Sequence, residues 1–217
     1  MIGGVTDIRD SAKELDEFVT KVLNATGANS VEFIGHSEGT VVAKWYAKFL
    51  DRHQKVNSVI SVSPVGKGSS LQGLTDVIRA FGFEKPLVDL VQQYCVACIQ
   101  LVEGSELMQE LYEDGYDTVP GVRYLNIATR KDQIVTPYTN GLIDFKAFQR
   151  HITHDSSDPS VAKAVQDSKN LVIEDYCDKD PAYTNHFGLF RSPFAFHAID
   201  AFLSPQYHDG VLSCTLS

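Results

Sequence analysis

Apolar residues recur along the chain at two different periods, and the switches between those periods predict the elements. Over residues 11–23, Ala12, Leu15, Phe18, Val19, Val22 and Leu23 fall on one helical face. Asp10 or Ser11 is placed to cap that helix, and Gly27 lies just past its end. A short apolar run at Val31, Phe33 and Ile34 reads as a strand. Residues 40–52 are apolar on most sides, with Val41, Trp45, Tyr46 and Phe49 among them, and predict a helix packed behind a sheet. Residues 56–65 are β-rich and end at Pro64 and a Gly/Ser loop over 66–70. From 71 to 117 the pattern is helical with no obvious strand. Residues 122–129 make the next strand, Pro137 and Gly141 break the chain, and the polar stretch 151–160 reads as a surface loop. A short helix at 161–167, a last strand at 170–175, a loop with Pro181 and a helix near 193–203 complete the order. Strands alternating with helices predict an α/β fold with a mainly parallel sheet flanked by helices, in one domain over 1–217.

One turn in this pattern carries chemistry. The strand at 31–34 runs into Gly35-His36-Ser37-Glu38-Gly39, and a helix begins directly afterwards. That is a G-x-S-x-G nucleophile elbow in its strand–turn–helix setting. So sharp a turn strains the serine backbone and brings two chain segments close, so Gly35 and Gly39 are expected to relieve clashes. The Ser37 hydroxyl then stands at a helix N-terminus. There the free N–H groups, that of Glu38 among them, favour a developing oxyanion.

A serine hydroxyl needs a base to take its proton and an acid to orient that base. In this kind of sheet they follow in the order Ser, Asp or Glu, His, each just beyond the carboxyl end of a strand. After the strand at 122–129 comes Asp132. After the strand at 170–175 comes a loop holding His186. Asp144, Glu174 and Asp175 are the alternative acids, and His208 is the rival base. His36 is expected to point elsewhere, His53 and His197 read as surface or core residues, and His151 and His154 precede the final strand.

Composition narrows the partners. The chain has 217 residues, 43% of them hydrophobic and 22% charged, enough to bury one sizeable core. Its net charge of −9 and lack of a basic run speak against nucleic acid. No apolar run is long enough for a membrane span, and the N-terminus lacks the build of a signal peptide, so a complete chain would stay in the cytosol. The four cysteines pull the other way. Cys95 and Cys98 form a C-x-x-C without a second close pair, which disfavours zinc; two disulfides, or one plus free thiols, fit an oxidising compartment. The pairing stays open at this level. Asn24-Ala25-Thr26 is a glycosylation sequon.

Several blocks together resemble the class 2 lipases, secreted α/β-hydrolases. They are the run from Asp10 through the elbow to Leu50, Cys95-Val96-Ala97-Cys98, Asp117-Thr118-Val119-Pro120-Gly121-Val122, Thr129-Arg130-Lys131-Asp132-Gln133-Ile134-Val135-Thr136-Pro137-Tyr138, and Asp175-Tyr176-Cys177 followed by His186. The resemblance implies an α/β-hydrolase fold and a lipase or esterase acting on acylglycerols or other fatty-acid esters. It places the acid at Asp132 and the histidine at His186. It also implies an extracellular protein that needs no metal or organic cofactor, with lipid or ester substrate and transient contact with a lipid interface. A cap-like helical insertion at about 71–118 would supply an acyl pocket. Two features depart from the family: Glu38 stands where it usually has Gln, and 145–169 is longer and more polar.

That fold places about four strands before the elbow and draws a second oxyanion donor from among them. One helix precedes Val31 here, so the resemblance implies missing N-terminal strands, an exposed sheet edge at 31–34, and a chain that is the C-terminal part of a longer precursor, a truncated gene product or a shortened isoform. The competing readings are a non-catalytic remnant or lipid-binding pseudoenzyme that keeps the elbow as scaffold, and a thioesterase or peptidase.

Overall fold

The structure is a computed structural model that describes residues 4–70, 95–155, 158–177, 183–204, 212 and 214, the side chains of 151–155 excepted. Helix α1 (Ile8–Thr26) starts earlier than the periodicity predicts, because Asp7 caps it by accepting the Arg9 N–H at 2.8 Å. Ile8 is fully buried, and its N–H donates to Gln100 Oε1 at 2.8 Å. A tertiary partner thus satisfies one of the amides that a helix start leaves open. Asp10 pairs instead with Lys13 on the surface. Gly27 ends the helix as expected, in the left-handed conformation at φ 71° with its N–H on the Leu23 carbonyl.

Strand β1 (Val31–His36) leads into helix α2 (Glu38–Trp45), which widens into a π-helical turn at Tyr46–Leu50. Asp51 then turns the chain: its carboxylate accepts the Lys55 and Val56 N–H groups at 2.9 and 2.8 Å, starting β2 (Val56–Val62). In the described part of 71–118, helix α3 (Val96–Gln100) packs Ala97, and helix α4 (Glu106–Leu111) packs Leu107, Met108 and Leu111, into the core shared with α1. Residues 71–94 of the expected cap lie outside the described residues. Strand β3 (Arg123–Ala128), helix α5 (Phe145–Asp155), helix α6 (Pro159–Asp167), strand β4 (Lys169–Val172), the short helix α7 (His186–Leu189) and helix α8 (Pro193–Leu203) follow.

The four strands lie in the order β1-β2-β3-β4, every pair parallel. Central β2 and β3 are buried almost throughout, as strands covered on both faces must be. One face, with Phe33, Val59 and Tyr124, packs against α1, α2, α5 and α6. The other, with Ile60, Val62, Leu125, Ile127 and Leu171, packs against Phe194, Ala198 and Phe202 of α8. Strand β1 lies at one edge of the described sheet, and Ile34 on its α8-side face is 57% exposed.

The polar stretch 151–160 differs from its expectation: α5 is helical through Asp155, and only afterwards does the chain turn at Asp158, which caps α6 through the Ser160 N–H. The buried Phe148 anchors α5, packing edge-on against Tyr124 at 5.9 Å. Under α2, Lys44 Nζ donates to Asp117 at 2.5 Å with both side chains almost fully buried (0% and 5% exposed). A charge so far from water is tolerable only when paired, and this pair ties the helix behind the elbow to the loop before β3. All four cysteines are in disulfides, Cys95–Cys98 and Cys177–Cys214. No helix among the described residues is long and apolar enough to cross a membrane.

Candidate active site

The elbow is strained in the way its sequence predicts. Ser37 sits at φ 53°, ψ −122°, a region that residues with a Cβ rarely occupy and that costs roughly 1–3 kcal/mol. The surroundings hold it there. The Ser37 N–H donates to the Val62 carbonyl at 3.1 Å, and the Ser37 carbonyl accepts the Thr40 hydroxyl at 2.7 Å and the Thr40 N–H at 3.0 Å. Gly35 is required, because a Cβ there would stand 2.7 Å from the Gly39 carbonyl oxygen. The matching expectation for Gly39 is corrected: a Cβ at that position meets no described atom within 4 Å.

Parallel strands put their carboxyl ends on one edge, and the predicted residues converge there. Ser37 follows β1, Asp132 lies in the loop after β3, and His186 opens α7 after β4. The His186 Nε2 is 2.9 Å from Ser37 Oγ. Its Nδ1 lies 2.9 and 3.0 Å from the two carboxylate oxygens of Asp132. Because a carboxylate only accepts, Nδ1 carries the proton, which leaves Nε2 free to accept from the Ser37 hydroxyl. Asp132 is itself fixed: its Oδ1 accepts the Ile134 and Val135 N–H groups at 2.9 and 2.8 Å. Both ring and carboxylate are nearly fully buried, the histidine at 1% and the aspartate side chain at 3% exposed. Low local polarity strengthens such contacts.

The alternative residues are otherwise engaged. Glu174 accepts the Thr129 hydroxyl and the Arg130 N–H, and Asp175 pairs with Arg130, so both brace the loop that carries Asp132. Asp144 caps the start of α5 through the Lys146 and Ala147 N–H groups. His53 is exposed after the π turn and His197 lies half-buried in α8. The rival His208 lies outside the described residues. His36 corrects its expectation, for its Nε2 is 2.9 Å from the His186 carbonyl oxygen.

Three contacts at the site have no counterpart in the sequence reading. Besides His36, Ser63 Oγ donates to the same His186 carbonyl at 2.9 Å, and Gln133 Oε1 accepts the His186 N–H at 3.4 Å. Position was the available signal, since Ser63 directly follows β2 and Gln133 directly follows Asp132. Burial holds the His36 imidazole below the ordinary histidine value and pushes the Glu38 carboxyl above the ordinary carboxylate value. Among the described residues no group of His, Cys, Asp or Glu side chains has the geometry to hold a metal ion. The arrangement can pass the Ser37 proton to Nε2 while the carboxylate faces the imidazolium that results.

Comparison with known proteins supplies a family. The product of the lin2722 gene of Listeria innocua superposes over 97% of this chain and 73% of its own, at a TM-score of 0.52 and 14% identity, a likeness of fold. The lipase BlEst2 of Bacillus licheniformis aligns at 20% identity and a TM-score of 0.44 over 58% of this chain and 49% of its own. Phospholipase PlaB of Legionella pneumophila aligns at 18% identity and a TM-score of 0.45 over 59% and 29%. This chain therefore spans about half of the former and less than a third of the latter. Comparison with curated protein sequences gives no match. The family model for lipase (class 2) matches residues 8–175, the greater part of the chain including the elbow and Asp132. The chain belongs to the class 2 lipase family.

Proposed function

We propose that this chain is a serine carboxylic-ester hydrolase, acting on acylglycerols or other fatty-acid esters through Ser37, His186 and Asp132. The observation that carries the reading is the unbroken path from the half-buried Ser37 hydroxyl through the buried imidazole to the buried Asp132 carboxylate, each step at 2.9 Å. Family membership points to the same substrate class.

His186 takes the proton as Ser37 Oγ attacks the ester carbonyl, and the tetrahedral oxyanion forms over the N-terminus of α2. There the N–H of Glu38 is the donor, one of the first amides of the helix, which have no partner within it. The imidazolium then gives its proton to the departing alcohol oxygen, leaving an acyl ester on Ser37. Water attacks that ester with His186 again as base, and the carboxylic acid leaves as the serine recovers its proton. Asp132 keeps Nδ1 protonated throughout and stabilises the imidazolium. The two disulfides support synthesis for an oxidising, extracellular compartment.

Turnover of p-nitrophenyl esters from acetate to palmitate, of emulsified triacylglycerol and of an acyl thioester tests the reading. The expected result is Ser37-dependent hydrolysis of the oxygen esters at rates above the thioester. A thioester preference of tenfold or more moves the chemistry to thioesterase, and no turnover by protein with both disulfides formed leaves the elbow as scaffold.

A further inference from the structure

The ring of His186 is held by Ser37 and Asp132, but its peptide group is held by different residues. Its carbonyl oxygen lies 2.9 Å from His36 Nε2 and 2.9 Å from Ser63 Oγ. A carbonyl only accepts, so both neighbours donate, both lone pairs of the oxygen are used, and His36 is the Nε2–H tautomer. The donors come from the ends of two adjacent strands. His36 is the last residue of β1, and Ser63 follows the last residue of β2.

Neither donor is casually placed. Ser63 is fully buried at φ 49°, in the left-handed region, with its N–H on the Ile127 carbonyl at 2.9 Å. Strain of this kind persists only where the surroundings over-determine it, and it marks functional sites. The His36 ring is confined by Phe187 and Phe190, whose ring centres lie 6.3 and 5.4 Å away. The helix that begins at His186 is one turn long, Asn185 capping it through the Gly188 N–H. So short a helix has little stiffness of its own with which to fix the histidine backbone.

We propose that His36 and Ser63 form a two-donor clamp on the His186 carbonyl that positions the imidazole against Ser37. The clamp rests on the reading of Ser37 as nucleophile. Its consequence is mechanical. Because His36 directly precedes Ser37, any shift of the end of β1 carries the nucleophile and the anchor of its base together, so their separation is preserved. Misplacing a reacting group by 1 Å can cost on the order of 10²-fold in rate. Both are positioning residues, since neither touches the reacting atoms.

The test is steady-state kinetics on p-nitrophenyl butyrate, well below the melting temperature, with wild type and Ser37→Ala in parallel. Ser63→Gly removes one donor while suiting the positive φ, His36→Phe removes the other while keeping a ring, and His36→Gln returns an amide N–H near the place of Nε2. Each single loss is expected to lower kcat by about tenfold and the double variant by about 10²-fold or more, with KM within about twofold. His36→Gln should recover to within about threefold of wild type. The clamp is overturned if the double variant keeps the wild-type kcat, if His36→Gln is as slow as His36→Phe, or if lost rate only tracks lost folded protein. Wild type without Ser37-dependent turnover instead removes the nucleophile reading and the clamp together; Ser37-dependent turnover at the wild-type kcat in the double variant removes the clamp alone.

Discussion

Ser37→Ala is expected to lower kcat for ester hydrolysis on the order of 10⁶-fold, the scale seen when a serine nucleophile that works as a unit with its base is removed. The loss should fall on the chemical step, since the substitution deletes one oxygen and leaves the apolar surroundings in place. The fold should survive it. Ser37 holds the elbow through its backbone N–H and carbonyl, to Val62 and Thr40, and only its Oγ reaches His186. Removing a group whose placement serves activity rather than packing is typically neutral to stability or raises it. Kinetics alongside a thermal melt check both halves. Residual activity within about tenfold of wild type would mean that another group attacks the ester.

Asp132→Asn is expected to cost about 10⁴-fold in kcat, the scale of a histidine held in the wrong tautomer. The direction follows from the turn around it. Asp132 Oδ1 accepts the Ile134 and Val135 N–H groups, so an asparagine must keep its carbonyl oxygen there and turn its NH₂ toward His186. The imidazole would then have to accept at Nδ1 and carry its proton at Nε2, where it cannot take one from Ser37. Asp132→Ala serves as a contrast, because it also strands the two turn amides, each costing roughly 1–3 kcal/mol. The asparagine variant should therefore melt close to wild type, while the alanine variant loses both stability and rate.

The sequence was most legible where local chemistry alone decides. Gly27 at the end of α1, the apolar run before the elbow, and the positions of Asp132 and His186 beyond the third and fourth strands depend on backbone geometry and strand order. What stayed hidden was decided by contacts distant in sequence. Asp10 and Ser11 fit the apolar periodicity as caps for α1, yet neither is the cap. Asp7 prevails because Ile8 is drawn into the core and finds Gln100, 92 residues away, for its amide. Polar composition over 151–160 hides α5, whose inward face is set earlier by Phe148 against Tyr124. The last strand is shorter than its apolar run because Glu174 and Asp175 turn toward Thr129 and Arg130. His36 was hidden for a related reason. In the elbow pattern it occupies a position open to any residue, and its contact is a main-chain oxygen 150 residues on.

Mapping the adduct of a fluorophosphonate probe by mass spectrometry tests most directly whether these three side chains act as one nucleophilic unit. Stoichiometric, single-site modification of Ser37 is expected in the wild-type chain, with capture slowed by about 10³-fold or more when His186 is replaced by Ala. An adduct on a different residue, or capture at the same rate without the imidazole, would contradict the account.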